Sequence, residues 1–257
     1  MIVIKVNLIA YTPDPEKVVA CAAKLCYSNA DSIDTLMSGL TDEKVAKFIR
    51  HLSNMGHQSP VEHVSFTFAI EGVSRALLAQ LTRHRIASYS VQSQRYVSME
   101  DFEYVIPPEI QIDPESRVVF IESVETAGSV YNEVRENLIE KYTADGMSKS
   151  AAEKKANEDA RYILPNAAAT RLIVTMNARS LIHFFNLRCC NRAQWEIREL
   201  ADEMLRLVKP IAPNLFANAG PSCVSEGACP EGSMSCGKFE EMRKKYGKLS
   251  RVADNVG

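Results

Sequence analysis

Residues 83–95 read RHRIASYSVQSQR, and they hold three arginines, one histidine, three serines and two glutamines without a carboxylate. An arginine stays charged at any working pH, and its planar fork of donors matches phosphate oxygens. Cations without acidic partners repel one another unless an anion lies between them. The segment therefore predicts a phosphate-binding site. The alternative is a solvated basic face, although surface charge runs usually mix signs.

The sequence on either side of this segment predicts elements of a mixed α/β fold. Residues 66–73 alternate and include aromatic and branched side chains, which is typical of a strand. Residues 75–82 predict a short helix with Ala76, Leu77 and Leu78 buried. The basic segment itself is predicted to be a loop that becomes a strand near Tyr96.

Periodicity over the rest of the chain predicts further helices and short strands. Predicted helices cover residues 14–26, 42–54, 116–143, 148–164, 178–187 and 193–208, and predicted strands cover residues 1–6 and 171–175. Thr41 is the expected N-cap of the second helix and Gly56 its expected end, while Pro107 and Pro108 mark an irregular connection. We expect one α/β (α+β) domain over residues 1–219, with a mixed or antiparallel sheet flanked by long helices. A tail rich in cysteine and glycine follows at residues 220–257.

The overall composition is that of an ordinary globular chain. Of its 257 residues, 46% are hydrophobic and 24% are charged. The formal net charge of −2 argues against a general nucleic-acid-binding protein, which is usually basic. Apolar runs such as residues 172–174 are too short to cross a bilayer, and the amino terminus lacks the pattern of a signal peptide. A cytoplasmic location without a membrane partner is expected.

Seven cysteines are an odd count, and a disulfide framework is not expected in a reducing compartment. Cys21 and Cys26 are predicted core residues of the first helix. Cys223, Cys229 and Cys236 lie in a loop rich in glycine and proline, where they could bind zinc with a fourth ligand from elsewhere. Gaps of five and six residues between them are wider than in a usual zinc knuckle, so free thiols are the preferred interpretation.

A second set of cations lies within residues 170–198, interleaved with asparagines. On the predicted helix 178–187, one face carries Arg179, His183 and Asn186. The apolar side is expected to be formed by Leu181, Phe184, Phe185 and Leu187. Such a polar face suggests a polar ligand, although nearby glutamates at 196 and 199 leave ordinary surface ion pairs as an alternative.

Residues 57–63 read HQSPVEH, and two histidines with a glutamate invite a metal interpretation. The strand that follows leaves only His63 or Glu62 well placed near the sheet. A histidine in such a loop is more often a hydrogen-bonding group than a ligand, so no catalytic metal is expected.

The spacing of Arg83, His84, Arg85, Ser88, Ser93 and Arg95 resembles the signature of the flavin-dependent thymidylate synthases. The resemblance continues in the family's order through residues 56–63, 177–181, 186–188 and 193–196, a span of about 140 residues. Ser90 stands where many members of the family have Asn.

This resemblance implies the reductive methylation of dUMP to dTMP. Methylenetetrahydrofolate would supply the carbon, and NADPH would reduce FAD, which supplies the hydride. The implied fold is the α/β fold of the thymidylate synthase-complementing type. The implied assembly is a homotetramer with active sites shared between subunits, and no nucleic-acid partner is implied.

The resemblance also implies roles for individual residues. Those expected to hold dUMP are Gln80, Arg83, Ser93, Gln94, Arg95, Arg171 and Arg188. Those expected to hold FAD are His57, Ser59, Arg83, His84, Arg85, Asn177, Arg179 and His183. Arg188 would be catalytic, because a cation near the uracil ring favours negative charge on the base. No enzyme nucleophile is implied. The chain lacks the glycine-rich fingerprint of a Rossmann dinucleotide-binding fold, so arginine side chains would bind the FAD phosphates in place of backbone amides.

Other functions stay open at this stage. A nucleic-acid-binding module could use residues 83–95 to bind a phosphate backbone. Stacking surfaces for bases are few, because aromatic residues make up 7% of the chain and Tyr89 is the single aromatic residue within residues 83–95. A different flavoenzyme could oxidise NADPH without using a nucleotide. A structural metal-binding protein is supported by the cysteine tail alone.

Overall fold

The computed structural model describes residues 3–251, without the side chains of Asn54 and residues 248–251. Met1 and Ile2, the start of the first predicted strand, lie outside the described residues, and that strand begins at Lys5. Residues 252–257 of the predicted tail also lie outside them.

Within residues 3–251, four strands form one antiparallel sheet in the order β1-β2-β4-β3. The strands are β1 (Lys5–Tyr11), β2 (Ser65–Ser74), β3 (Ser88–Val91) and β4 (Ala169–Asn177). β2 and β4 run antiparallel because Ala178 N donates to Val64 O at one end and Arg75 N donates to Ala168 O at the other. The predicted class, a mixed fold with an antiparallel sheet and long helices, is confirmed.

Helices make up most of the remaining described chain. They are α1 (Pro15–Leu25), α2 (Ile33–Ser38), α3 (Asp42–Asn54), α4 (Arg75–Leu81), α5 (Pro108–Ile112), α6 (Pro114–Ala144), α7 (Lys149–Ala160), α8 (Ala178–Arg188), α9 (Trp195–Val208), α10 (Ser222–Ser225) and α11 (Phe239–Arg251). Short 3₁₀ turns lie at Ser59–His63, Arg161–Ile163 and Gly232–Met234. Across residues 3–251, no helix combines the length and the apolar composition needed to span a membrane.

Local sequence signals account for several helix ends. Thr41 caps α3, because its hydroxyl accepts a hydrogen bond from the backbone of Lys44. Asn177 caps α8 in the same way, its Oδ1 lying 2.8 Å from Ser180 N. Gly56, with φ of 70°, turns the chain away after α3, as predicted.

The predicted position of the strand at the end of the basic segment, residues 83–95, was wrong. β3 lies inside the segment at Ser88–Val91, and the chain near Tyr96 forms a turn. Pairing along β4 explains the difference, since Gln92 N donates to Arg171 O at 3.0 Å. Strand formation here depends on the neighbouring strand more than on the polar local sequence.

Other local predictions also need correction. Pro108 begins helix α5, which uses proline at its first position, instead of continuing an irregular connection. Helix α7 ends at Ala160, and α2 was not predicted. Three expected core residues, Cys26, Ala76 and Leu187, are exposed because each lies at the edge or outer face of a short helix.

Backbone packing divides the chain into two compact units. Among the described residues, the first unit comprises residues 3–5, 70–80 and 90–172 and contains helices α5 to α7. In its core, Met99, Tyr131 and Ala160 are buried together, and Met99 N donates to Tyr131 Oη at 3.2 Å.

The second unit comprises residues 6–69, 81–89 and 173–251 of the described chain. Its core is aromatic, with Phe66 and Phe185 packed edge-on against Phe216 at ring-centroid distances of 5.5 and 6.1 Å. Residues 220–251 of the predicted tail belong to this unit. The domain boundary at residues 219/220 stays a prediction.

Candidate functional site

The residues predicted to form the site fall into the two units. In the second unit lie Arg188 and every residue predicted to hold FAD. The other residues predicted to hold dUMP belong to the first unit, apart from Arg83: Gln80, Ser93, Gln94, Arg95 and Arg171.

In the second unit, Arg83, His84 and Arg188 form a cationic cluster. Arg188 Nε donates a hydrogen bond to His84 Nε2 at 3.1 Å. Burial lowers the pKa of Arg188, and the charge of Arg83 lowers it further. An imidazole nitrogen accepts a hydrogen bond only when it carries no proton, so this contact requires neutral His84.

The surroundings of His84 keep its ring neutral. Burial lowers the pKa of His84 to about 4, and the charges of Arg188 and His183 add to the effect. The ring packs edge-on against Phe184 at 5.0 Å and against His183 at 6.1 Å between centroids. His84 therefore supplies an acceptor to the cluster and no charge.

Tyr89 holds the turn that carries this cluster. Its hydroxyl lies 2.8 Å from Leu81 O and 2.9 Å from His84 O, so its proton is shared between two carbonyls of its own loop. Burial raises the pKa of Tyr89 to about 12. The ring is partly buried and tied to the loop, which makes it a poor platform for stacking a base.

Within the described chain, the arginines of the cluster form no ion pair with a carboxylate. The ion pairs found within residues 3–251 involve neither Arg83 nor Arg188, and they do not involve Arg85, which is close to the cluster in sequence. Adjacent guanidinium groups repel each other, and an anion between them would remove that repulsion. The cluster is thus suited to a phosphate group or to an oxygen that gains negative charge.

A cavity of about 430 Å³ lies in the same unit. It is formed by the end of α3, the loop that follows it, one face of α8 and residues 214–226. His57, Arg179 and His183, all predicted to hold FAD, line it. Because His183 also packs against His84, it connects the cavity to the cationic cluster.

Helix α8 presents the polar face that its sequence predicts. Arg179, His183 and Asn186 line the cavity, whereas Leu181 and Phe184 are buried in the core behind it. The helical spacing predicted that Asn186 shares this face with Arg179 and His183, but Asn186 was not assigned to FAD or dUMP.

Asn186 also marks a place for a ligand donor. Its Oδ1 is buried and finds no hydrogen-bond partner in the described chain. A buried acceptor without a partner costs about 1–3 kcal/mol, so a donor from a bound molecule would be stabilised there.

Arg179 is held at the cavity by its neighbours. Its Nε donates to Gln58 Oε1 at 3.1 Å, and its Nη1 forms an ion pair with Glu62. The Arg179 and Glu62 side chains are 50% and 46% exposed, and such pairs contribute about 0–1 kcal/mol. A phosphate anion could therefore displace Glu62 at little cost.

Other residues predicted to hold FAD lie elsewhere in the second unit. Within the described chain, Ser59, Arg85 and Asn177 are outside the lining of this cavity. The side-chain oxygen of Asn177 is already used to cap α8. Ser59 and Arg85 are exposed.

In the first unit, Arg95 has an acidic partner that the local sequence does not show. Its Nε and Nη2 lie 2.9 and 2.7 Å from Glu158 Oε2, and Asn157 Nδ2 donates to its backbone carbonyl at 3.3 Å. The expectation that all three arginines of residues 83–95 lack such partners was wrong for Arg95. The partner comes from α7, which is 63 positions away in sequence.

A second cavity, of about 840 Å³, lies in the first unit and is lined by Gln92 and Arg171. Four carboxylates also line it, those of Glu71, Glu100, Asp101 and Glu103. Negative charge at this density is unfavourable for a phosphate dianion. Among the described residues of its wall, Arg171 is the one predicted to bind dUMP.

A mixed α/β fold with a cationic Arg–His cluster beside a polar cavity is suited to an anionic ligand. Residues 7–214 match the family model described as "Thymidylate synthase complementing protein". The chain belongs to this family. The resemblance seen in the sequence is therefore confirmed.

Curated relatives agree over nearly the whole chain. A flavin-dependent thymidylate synthase of Clostridium tetani is 59% identical over 243 residues, covering 95% of this chain and 97% of that protein. One of Geobacter sulfurreducens is 49% identical over 248 residues, covering 96% and 99%. One of Pyrococcus furiosus is 38% identical over 254 residues, covering 96% and 98%. These relatives confirm the prediction that the chain is an enzyme of this family.

Proposed function

We propose that this chain is a flavin-dependent thymidylate synthase, which converts dUMP to dTMP by reductive methylation. Methylenetetrahydrofolate is the proposed carbon donor and NADPH the proposed reductant of FAD. The observation that carries the proposal is the cluster of Arg83, His84 and Arg188, joined through His183 to a polar cavity. The names of the curated relatives support the same reaction. A cytoplasmic location stays a prediction.

The polar side chains that line the cavity of the second unit support the proposed binding of a flavin nucleotide there. His57, Arg179 and His183 would contact FAD there, and the unpartnered Oδ1 of Asn186 would accept a hydrogen bond from it. Bound FAD would supply a hydride. Arg83 and Arg85 are suited to its pyrophosphate, while the contacts proposed for Ser59, His84 and Asn177 rest on the family resemblance.

For dUMP, the proposed phosphate ligands in the first unit are Arg95 and Arg171. Arg171 is exposed and forms no ion pair within the described chain, and the Arg95–Glu158 pair is 40% exposed on both sides. A phosphate dianion would compete with Glu158 for the Arg95 guanidinium, whereas at Arg171 its attraction to the cation would have to exceed the repulsion of the carboxylates that line the same cavity. The remaining proposed contacts are those of Gln80, Ser93 and Gln94.

Arg188 is the proposed catalytic residue. His84 binds its Nε, which fixes the plane of the guanidinium and leaves the terminal nitrogens as donors. An arginine stays protonated at neutral pH even when its pKa is lowered, so its charge would stabilise negative charge on a uracil oxygen. That stabilisation would make carbon 5 of the base more nucleophilic.

The thiol next to Arg188 is poorly suited to attack the base. Burial raises the pKa of Cys189 well above its ordinary value, and the charge of Asp202 raises it further. The thiolate is the nucleophilic form, so a buried neutral thiol is inert. This supports a mechanism without an enzyme nucleophile.

A homotetramer with active sites shared between subunits is part of the proposal. Several large apolar side chains of the described chain are exposed, among them Ile86 beside the cationic cluster and Val118 and Val119 on α6. Burial of such surface stabilises an assembly. In a shared site, the ligands proposed for dUMP need not all come from one chain.

The visible absorption spectrum of the purified protein, before and after addition of dUMP, tests the proposal first. Flavin bands that shift with dUMP, together with dTMP formation, are the expected result. Bands indifferent to dUMP would indicate another flavoenzyme. A colourless protein that takes up no FAD would contradict the proposal. The control variant is Arg206→Ala, which alters a surface arginine paired with Glu203 and should leave the flavin spectrum unchanged.

A further inference from the structure

The carboxyl end of α8 is bound by a residue of α11, the last helix of the described chain. The hydroxyl of Tyr246, on α11, lies 3.0 Å from the carbonyl oxygen of Cys189. Cys189 directly follows Arg188, the last residue of α8. The last carbonyl groups of a helix find no donor within the helix, so the Tyr246 hydroxyl supplies a hydrogen-bond donor that α8 itself lacks.

The same hydroxyl also contacts α9. It lies 2.6 Å from Asp202 Oδ1, so its proton is shared between this carboxylate and the Cys189 carbonyl. Lys245, which precedes Tyr246, forms an ion pair with the other oxygen of Asp202. Burial raises the pKa of Tyr246, so the hydroxyl stays protonated and remains a donor at neutral pH. Tyr246 therefore ties α11 to both α8 and α9.

The ring of Tyr246 is enclosed within the second unit. Tyr246 is 1% exposed, and Met242, one turn earlier on α11, is also buried. Gly220 lies so close to the ring that an added Cβ would come within 3.1 Å of it. A close-packed ring has little freedom to move, so its hydroxyl holds the Cys189 carbonyl in a fixed place.

Arg188 is thus restrained at two points. Its Nε donates to His84 Nε2 at 3.1 Å, which orients the guanidinium. The carbonyl of the next residue, Cys189, is held by Tyr246, which orients the backbone from which the Arg188 side chain extends. A displacement of about 1 Å at a catalytic group can cost about 10²-fold in rate, so both restraints bear on the proposed chemistry.

We propose that Tyr246 is a positioning residue for Arg188, and that α11 therefore contributes to the geometry of the proposed active site. The inference rests on the proposed catalytic role of Arg188. Tyr246 acts through the backbone of Cys189 and is not proposed to touch a ligand. Residues 7–214 match the family model, and α11 lies beyond them, so the match itself gives α11 no role.

Steady-state kinetics of Tyr246→Phe tests this role, because the change removes the hydroxyl and keeps the ring. We expect kcat for dTMP formation to fall about tenfold. KM for dUMP should change by less than about threefold, since the charge of Arg188 acts mainly in the transition state. Tyr142→Phe is the matched control, because the Tyr142 hydroxyl also bonds a carboxylate, Asp159 Oδ2 at 2.8 Å, but belongs to the first unit. It should leave both constants unchanged.

A second readout does not require dTMP formation. The charge of Arg188 lowers the pKa of His84, and exchange of the imidazole C2 hydrogen with deuterium measures that pKa. Because Tyr246→Phe should displace Arg188, the midpoint for His84 should rise in this variant without exceeding the midpoint in Arg188→Gln. Tyr142→Phe should leave it unchanged. A protein that makes no dTMP would contradict the proposed function, whereas the His84 midpoint would still decide the role of Tyr246.

A further variant keeps the test decisive if Tyr246→Phe does not fold. Lys245→Met breaks an ion pair whose lysine is exposed, so the fold is retained. Without the lysine, Asp202 attracts the shared proton more strongly and the carbonyl at the end of α8 loses its donor. The His84 midpoint should then rise in the same direction. An unchanged midpoint in the folded variants would overturn the proposal, as would an equal loss of kcat in Tyr142→Phe.

Discussion

His84 should stay neutral down to a pH of about 4, because burial, Arg188 and His183 all disfavour its charged form. The ordinary pKa of histidine is about 6.5. At pH 5.5, a pKa of 4 leaves about 3% of the rings protonated, whereas a pKa of 6.5 would protonate about 90%. The difference is large enough to be measured at a single site.

Exchange of the imidazole C2 hydrogen with deuterium, followed by mass spectrometry of peptic peptides, measures the pKa of one histidine in a large protein. The expected midpoint for His84 lies near pH 4, and the denatured chain supplies the reference. Arg188→Gln should raise the midpoint but leave it below 6.5, since burial is the largest cause and remains. A midpoint near 6.5 in the native protein would refute the neutral acceptor in the cluster.

The same shift links stability to pH. Between pH 6.5 and 4 the unfolded chain binds a proton that the folded chain excludes, so stability is full above pH 6.5 and falls as the pH is lowered. The shift alone corresponds to about 3 kcal/mol, but His84 is only partly buried, and solvent screening reduces the expected loss to about 1–2 kcal/mol. Urea unfolding of the protein and of His84→Gln should show a steeper pH dependence for the unaltered chain; parallel curves would contradict this.

Further predictions concern the end of α8. Arg188→Ala should retain the flavin spectrum and lose dTMP formation by about 10²–10³-fold, since it removes a charge that acts in the transition state; near-normal turnover would exclude Arg188 from the chemistry. Cys189→Ala should keep turnover within about tenfold, and loss of activity with intact FAD binding would show that the thiol takes part. Tyr246→Phe should lower the free energy of unfolding by about 1–3 kcal/mol, because the hydroxyl lies 3.0 Å from Cys189 O and 2.6 Å from Asp202 Oδ1. An unchanged urea midpoint for that variant would refute the last estimate.

Geometry weakens the nucleic-acid alternative. Modules that bind single-stranded nucleic acid stack bases on exposed aromatic rings next to their cations. Tyr89, the aromatic residue within residues 83–95, is instead tied to two carbonyls of its own loop. Arg95 is engaged by Glu158, and the net charge of the chain is −2. Steep salt-dependent binding of RNA or DNA by the purified protein would restore that alternative.

The sequence by itself determined the features that depend on neighbouring residues. Thr41 and Gly56 bound α3 where predicted, because caps act within one turn of a helix. The spacing of Arg179, His183 and Asn186 was enough to place them on one face of α8, since helical periodicity is local. The motif at residues 83–95 and its ordered companions were enough to identify the family.

Only the tertiary structure decided the features that depend on residues distant in sequence. The ring of His84 is neutral because Arg188, 104 positions away, donates to it inside a buried setting. Arg95 is paired because α7 brings Glu158 to it, and β3 forms because β4 supplies the neighbouring strand. Charge, pairing and burial at these positions depend on distance in space, and sequence spacing does not encode that distance beyond a turn of helix or a pair of adjacent strands.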